Sequence, residues 1–459
     1  MRKRILLLLQ FGLLLTCVAL PDSRAQSGKP SQALNHVNEH RLKLLETLYH
    51  DAERSSYPSS GATSGSVPTP VIAPDLDEVD VAIKKFATEQ AAGFKVKDWK
   101  GEELVRLGEL YQTAEQFASA VEAFRAFLSG DSKSDSNLLM SQGKRLKSNA
   151  RTRLILSLIE TEQLDEAEKW LEGAEWVVAE NPSLLAARPG LYKNLAIALR
   201  DRAVYDKVAT PADVFDKIAT LSDKGYKLAN SIVLSGDLFP NLLEATERNQ
   251  VTLAAMAVAS YERVGRKREA DELNEKALKL DFNRHPELSA IYESELAASR
   301  LIGTSAPELE VSRWIEGKDR APKSLNDLRG NVVLLNFWAM WSEPFVNLSP
   351  RLRGFQSKYA GKGFEIVGVT KLYGRSDTEE FLSRDQEFKG LQNYKARHQL
   401  TYPFAVGKMD DVTNEERYGV SGVPTMILID RRGVVRQINR VAGEYRKLEK
   451  QIEKLLGEK

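Results

Sequence analysis

Cysteine is almost absent from this chain. Among 459 residues there is one, Cys17. A single cysteine closes no internal disulfide, and no pair of its own thiols can cycle between dithiol and disulfide. Histidine is scarce as well, at five. His36 and His40 stand one helical turn apart, but Val37 follows the first, so the pair is not the H-E-x-x-H arrangement, and no third ligand is near. No metal and no cofactor is expected. Neither sign of charge is in excess: 65 Lys and Arg face 64 Asp and Glu, a net charge of +1. That balance gives no footprint for nucleic acid or anionic lipid. The local run Lys144-Arg145-Leu146-Lys147 is read as a solvated helix face. One long apolar run stands out, Ile5–Leu15, interrupted by Gln10 and Gly12, and it is too short for a comfortable membrane-spanning helix.

What is present begins with that run. Arg2-Lys3-Arg4 precedes it and Ser23-Arg24-Ala25 follows it, the layout of a secretory signal with cleavage before Gln26. A periplasmic or otherwise exported protein is expected, and after cleavage at Ala25 it has no cysteine. Lipoprotein processing at Cys17, after Leu14-Leu15-Thr16, is the alternative and the one route to membrane contact. Residues 26–74 read as one amphipathic helix, Gln32 to Arg54, and a Ser/Gly/Pro-rich linker that leaves the helix loosely attached.

Residues 75–303 read almost entirely as helix. Between Trp99 and Gly130, Leu104, Leu107-Gly108, Tyr111, Ala120 and Phe124 resemble the tetratricopeptide pattern of paired helices. Leu154, Ile155, Leu158, Ala167 and Leu171 fit a second pair, after an insertion at Asp131 to Asn149. Ala257, Val258, Tyr261, Ala270 and Ala277 fit a third, with Gly265 at its turn. Leu191 to Asp206 and Ala212 to Ser231 supply helices between them. A generic helical bundle is the plain alternative. Stacked units would offer a groove for a protein or peptide partner.

The stretch Val332–Phe345, VVLLNFWAMWSEPF, organises residues 304–459. Val332 to Asn336 reads as a strand buried on both faces. Trp341-Ser342-Glu343-Pro344-Phe345 turns it into a helix running to Tyr359, with Pro344 suited to the first turn. The order Phe-Trp-Ala-x-Trp, two residues, Pro resembles the TlpA/ResA group of thiol–disulfide oxidoreductases, whose pattern is Phe-Trp-Ala-x-Trp-Cys-x-Pro-Cys. The first cysteine falls on Ser342 and the second on Phe345; the acidic residue usual three places later falls on Leu348. Ala306-Pro307-Glu308-Leu309, expected as a short strand, and Ser324 to Gly330 resemble the approach to the core sheet in the same group. Gly422-Val423-Pro424-Thr425 resembles its cis-proline loop. The resemblance implies a thioredoxin-like α/β fold with a central mixed sheet, Pro424 cis and facing the turn, and strands at Phe364–Leu372, Pro403–Val406, Thr425–Asp430 and Val434–Val441. The polar segment Asp377 to Gln399 reads as an insertion.

The scaffold is therefore expected without its redox couple. Ser342 needs a base to act as a nucleophile, and His398, the domain's one histidine, lies in the insertion. Glu343 lacks a partner carboxylate. His285 reads as a surface or capping residue. In the family, turn and cis-proline loop grip an extended polypeptide, which makes Trp341, Phe345, Val423 and Pro424 a candidate groove; the alternative is that Phe345 plugs the old site. The expected function is an exported protein-binding scaffold, multidomain, with a redox-inactive thioredoxin-like domain behind helical repeats. The alternative is a redoxin-family oxidoreductase working with a partner's thiol.

Overall fold

Apolar residues at helical spacing bury one face per helix, and in this chain those faces meet in one N-terminal core. A computed structural model describes residues 28–56, 76–130, 140–173, 182–205, 211–236, 238–280, 285–316, 322, 324–376, 379–408, 413–439 and 445–458. The expected signal segment with Cys17 and Ala25, and residues 57–75 around the expected linker, lie outside them. Helix α1 (Pro30–Ser56) sets Ala33, Leu34 and Val37 in the same core as Val79, Ile83 and Ala87 of α2 (Leu76–Ala91). The Ser31 amide and hydroxyl donate to Glu103 at 3.0 and 2.8 Å. This corrects the expectation of a loose first helix: its apolar stripe finds a partner. His40 packs on the Phe86 ring, centroids 4.4 Å apart, and among the described residues no group of three metal-ligating side chains occurs.

Helices α3 (Glu102–Thr113) and α4 (Phe117–Ser129) form a hairpin, as do α5 (Met140–Glu160) with α6 (Leu164–Glu172). Helices α7 (Pro182–Tyr205) and α8 (Pro211–Ser235) follow, then α9 (Pro240–Arg263), α10 (Lys267–Leu278) and α11 (Glu287–Leu301). The expected insertion at 131–149 is shorter, because helix α5 already begins at Met140; residues 131–139 lie outside the described ones. Three hairpins close on one turn. Glu115, Glu162 and Gly265 take left-handed φ of 55°, 59° and 79°. The next amide donates back to the carbonyl of Tyr111, Leu158 or Tyr261 at 2.8, 2.9 and 2.9 Å. That six-to-one bond satisfies a carbonyl left open at the helix end. Inside the first hairpin Gly108 lets α3 press on α4: a Cβ there would stand 2.5 Å from the Phe124 ring.

The C-terminal region is a six-stranded sheet of order β1-β4-β3-β2-β5-β6. Its strands are β1 (Val311–Ile315), β2 (Val332–Phe337), β3 (Phe364–Thr370), β4 (Phe404–Gly407), β5 (Thr425–Ile429) and β6 (Val435–Asn439). Strand β3 runs parallel to β2 and β4, while β5 is antiparallel to β2 and β6. Val332, Leu334 and Trp338 face a core built with α12 (Glu343–Tyr359), α13 (Arg384–Arg397) and the last helix, Tyr445–Gly457. Val333, Leu335 and Phe337 face the opposite way, against Leu301, Ile302 and Tyr418. A strand buried on both faces is apolar at every step, as VVLLNF is apart from Asn336.

The expected strand at 306–309 is replaced by another pairing. The Gly303 amide donates to the Val435 carbonyl at 2.7 Å, and Ala306 to Gly433 at 2.9 Å. The segment leaving α11 thus covers the edge of β6, which would otherwise present unpaired backbone groups. The first strand starts later, at Val311.

Candidate functional site

Strand β2 delivers the site. Its apolar run ends at Phe337, the Trp338 amide donates to the Val369 carbonyl at 2.9 Å, and the Ala339 carbonyl accepts from the Ser342 amide at 3.1 Å to tighten the turn. Ser342 then caps α12, with Pro344 in the first turn. A serine there ordinarily accepts a bond from the helix's own amides. This one does not. Its Oγ instead donates across to the Val423 carbonyl at 3.2 Å, and the side chain is 4 % exposed. The Val423–Pro424 bond is cis. Ser342, Val423 and Pro424 are therefore brought together, and the hydroxyl joins the turn to the cis-proline loop. Thr425 Oγ1 donates to the Gly422 carbonyl at 2.6 Å and closes that loop. Glu343, Pro344 and Phe345 form backbone of α12, but their side chains lie outside the described residues, and with them the expected contribution of Phe345. Leu348, at the family's acidic position, is wholly buried in the α12 core.

Trp341 is the turn's half-buried aromatic. Tyr373 meets it edge-on at 5.4 Å, and the Arg375 guanidinium lies 4.0 Å above its ring. Its indole N–H is shielded from solvent and has no acceptor among the described residues. Tyr373 is fixed in turn. Its amide and that of Gly374 donate to the two Glu387 oxygens, both at 2.7 Å, and its hydroxyl donates to Glu415 at 3.2 Å. Burial, with the Glu415 carboxylate beside it, pushes the phenol well above the usual tyrosine range. Helix α13 thereby anchors the loop that carries Arg375. These residues were missed in the sequence because they act on Trp341 from the segment after β3, about thirty residues on, and no local pattern ties the two.

Among the described residues no histidine or carboxylate is bonded to Ser342, whose hydroxyl goes to the Val423 carbonyl. His398 stacks on Tyr394, centroids 4.1 Å apart, at the end of α13. His285 sits between Glu247 and Glu287, at 3.7 and 3.5 Å, a bridge between helices. Neither arrangement supplies the hydrogen-bonded nucleophile and base that acyl transfer needs.

A mixed sheet whose second strand leads through a capped turn into a helix, with a cis-proline opposite, defines a thioredoxin-like domain. Residues 302–438 match the AhpC/TSA family. A thiol-disulfide oxidoreductase ResA of Geobacillus thermodenitrificans (strain NG80-2) is 31 % identical over 137 residues, 30 % of this chain and 68 % of the relative. That of Bacillus thuringiensis subsp. konkukian (strain 97-27) is 31 % identical over 156 residues, 34 % of this chain and 78 % of the relative. A solved structure, a putative thiol:disulfide interchange protein DsbE from Chlorobium tepidum, is 29 % identical and covers 33 % of this chain and 96 % of its own, with a TM-score of 0.27. Through this domain the chain belongs with the ResA thiol-disulfide oxidoreductases. That kinship favours the oxidoreductase alternative over the redox-inactive scaffold.

Proposed function

We propose that this chain is an exported, polypeptide-binding member of the ResA-like group that carries no redox couple of its own. One observation carries the reading. Ser342 stands where the family pattern has its first cysteine, and its hydroxyl is spent on the Val423 carbonyl at 3.2 Å rather than poised for exchange. The single cysteine, Cys17, lies in the leader-like segment, so the protein has no thiol pair of its own, and that segment is what suggests export to the periplasm or beyond. In this reading Trp341, Phe345, Val423 and Pro424 keep a groove for an extended chain, held by strand addition. The helical hairpins, which we take as tetratricopeptide-like, offer a second protein-binding surface. Domain limits near residues 75 and 304 belong to the same proposal.

Family membership supports a second reading, in which the domain assists thiol–disulfide exchange with a thiol supplied by a partner. One assay separates the two: insulin reduction by dithiothreitol, with the cleaved wild type and with Ser342→Cys/Phe345→Cys. The binding reading expects a silent wild type and an active double variant. Acceleration by the wild type would establish the second reading. A silent double variant would mean that the groove has been remodelled and would move the function to the helices.

A further inference from the structure

Between β4 and the cis-proline loop the chain makes a single helical turn, Asn414–Arg417, and leaves it through Gly419 at a φ of +62°. The Val420 amide donates back to the Glu415 carbonyl at 2.7 Å and locks that exit. Val423 follows at once, and its carbonyl takes the Ser342 hydroxyl. This short element reaches both walls of the candidate groove. Glu415 accepts from the Tyr373 hydroxyl at 3.2 Å, and Tyr373 stands edge-on to Trp341. Tyr418 is fully buried beside Phe337, the last residue of β2, with ring centroids 5.4 Å apart, and it donates to the Pro307 carbonyl. Asn414 clasps Glu310, donating to its carbonyl at 3.0 Å and accepting from its amide at 2.9 Å. A shift of this element is therefore felt at Trp341, at the end of β2 and at the cis-proline loop together.

Its remaining contact comes from the helical region. Helix α11 lies so close that a Cβ on Gly419 would stand 2.7 Å from the Ala297 Cβ, 3.0 Å from the Ser294 carbonyl oxygen and 3.1 Å from the Ala298 amide nitrogen. The last two are backbone atoms, which cannot rotate aside as a side chain can. Ser294, itself buried, donates its hydroxyl to the Gly419 carbonyl at 2.5 Å. That bond fixes where along α11 the loop sits. Val420 and Val423 also pack on the apolar cluster that holds Leu301 and Ile302, where α11 ends.

We propose that α11 sets the geometry of the groove through Gly419, with Ser294 as the positioning residue, so that occupancy of the groove and the seating of the helical region are coupled. The coupling is reciprocal. A polypeptide held between the turn and the cis-proline loop tightens the hold of Gly419 on α11, and whatever displaces α11 loosens the grip on the polypeptide. The use of the groove rests on the polypeptide-binding reading above; the coupling is its regulation.

The test is hydrogen exchange of the full chain, read by mass spectrometry over segments 287–301, 339–345 and 420–425. Ser294→Ala takes the hydroxyl away from Gly419. Exchange at 339–345 and 420–425 is expected to quicken about tenfold, with β3 and β6 as in the wild type. Arg300→Gln, which opens the exposed pair with Glu262 on the same helix, is expected to leave both segments unchanged. A rise confined to 287–301 and 414–419, or spread evenly over the sheet, would overturn the proposal and leave Ser294 a merely stabilising residue. The wild type with reduced, carboxymethylated insulin B chain, an extended polypeptide without thiols, supplies the reverse arm. Slower exchange at 339–345 and 420–425 is expected to bring slower exchange at 287–301. Protection of the loop with α11 unchanged would overturn the coupling and keep the groove. Quickening in Ser294→Ala without any protection by the B chain would overturn the polypeptide-binding reading and keep the positioning role.

Discussion

At the scale of single residues, the left-handed position that ends the first helix of each hairpin is filled in two ways. Gly265 adopts it freely, whereas Glu115 and Glu162 carry a Cβ into a conformation that costs about 1 kcal/mol or more for L-residues. Glu162 is solvent-exposed and has no ion pair among the described residues, so its side chain gives little back. Glu162→Gly is expected to stabilise the protein by about 0.5 to 1 kcal/mol in urea denaturation. Glu115 has the same backbone and a different reason to be there. Its carboxylate meets Lys84 at 2.7 Å, Arg446 at 2.6 Å and Lys450 at 3.5 Å. Burial pushes that carboxyl up, but the bond from Lys84 and the field of Lys450 and Arg446 outweigh it and hold the group below the usual glutamate range. Glu115→Gly is therefore expected to be neutral or destabilising, and equal gains for the two variants would show that the three cations contribute nothing. Ser342 follows the same logic, since a capping residue has given up its cap for a contact across the site.

At the scale of elements, short-range patterns were the legible ones. Strand β2, the turn after it and the cis-proline loop are local spellings: an apolar run, Trp-Ser-Glu-Pro, Gly-Val-Pro-Thr. Helix α12 spans Glu343–Tyr359, the bounds expected from the turn that starts it at Pro344 and runs it to Tyr359. The first strand was misplaced because Ala306 is extended yet pairs through its amide with the β6 edge, which no local pattern encodes. Lys395 on α13 is a further case. Read as one cation of a polar insertion, it is packed against the Tyr402 and Phe404 rings, its ammonium 4.5 Å from the latter and donating to the Tyr402 carbonyl. Burial lowers its pKa from 10.5 to about 8. The unfolded chain then holds this proton more tightly than the folded one, so between about 8 and 10.5 it binds more protons and stability climbs with pH. Below that window both states are charged and the desolvation cost is felt in full. Buried phenols such as Tyr402, raised by burial, act above 10 and in the opposite direction. Urea midpoints measured from pH 7 to pH 10 are expected to rise in the wild type and to stay flatter in Lys395→Met (an exposed amine would give parallel curves).

At the scale of the whole molecule, the thioredoxin-like domain is set into the helical one rather than strung after it. Helix α11 presses on Gly419, whose φ is +62°: a Cβ there would stand 2.7 Å from that of Ala297, and Ser294 donates to its carbonyl at 2.5 Å. On the other side Arg436 of β6 is fully buried. It bonds Asp430 at 2.8 Å and Glu458 at 3.1 Å, donates to the Val204 carbonyl at the end of α7, and lies 4.9 Å over the Tyr205 ring. Burial drives the Asp430 carboxyl up, but the Val434 amide and Arg436 prevail and keep it below the usual aspartate range. Its contribution is thus complete above the unfolded carboxyl range and fades as pH falls through its lowered value. Removing one partner of a buried pair leaves an uncompensated charge, at a cost of about 3 to 5 kcal/mol. Arg436→Met belongs near the lower end, since Arg432 also reaches Asp430 at 3.3 Å. The same substitution removes the bond to Val204 and the cation over Tyr205, so it strikes the joint between the domains as well as the sheet. Calorimetry at neutral pH is expected to give the wild type one cooperative transition, with calorimetric and van't Hoff enthalpies equal. Arg436→Met is expected to split it in two, the thioredoxin-like part melting first. A variant that melts lower but still in one step would mean that the Gly419 contact and the Glu115 cluster suffice to couple the domains, and that Arg436 serves the sheet alone.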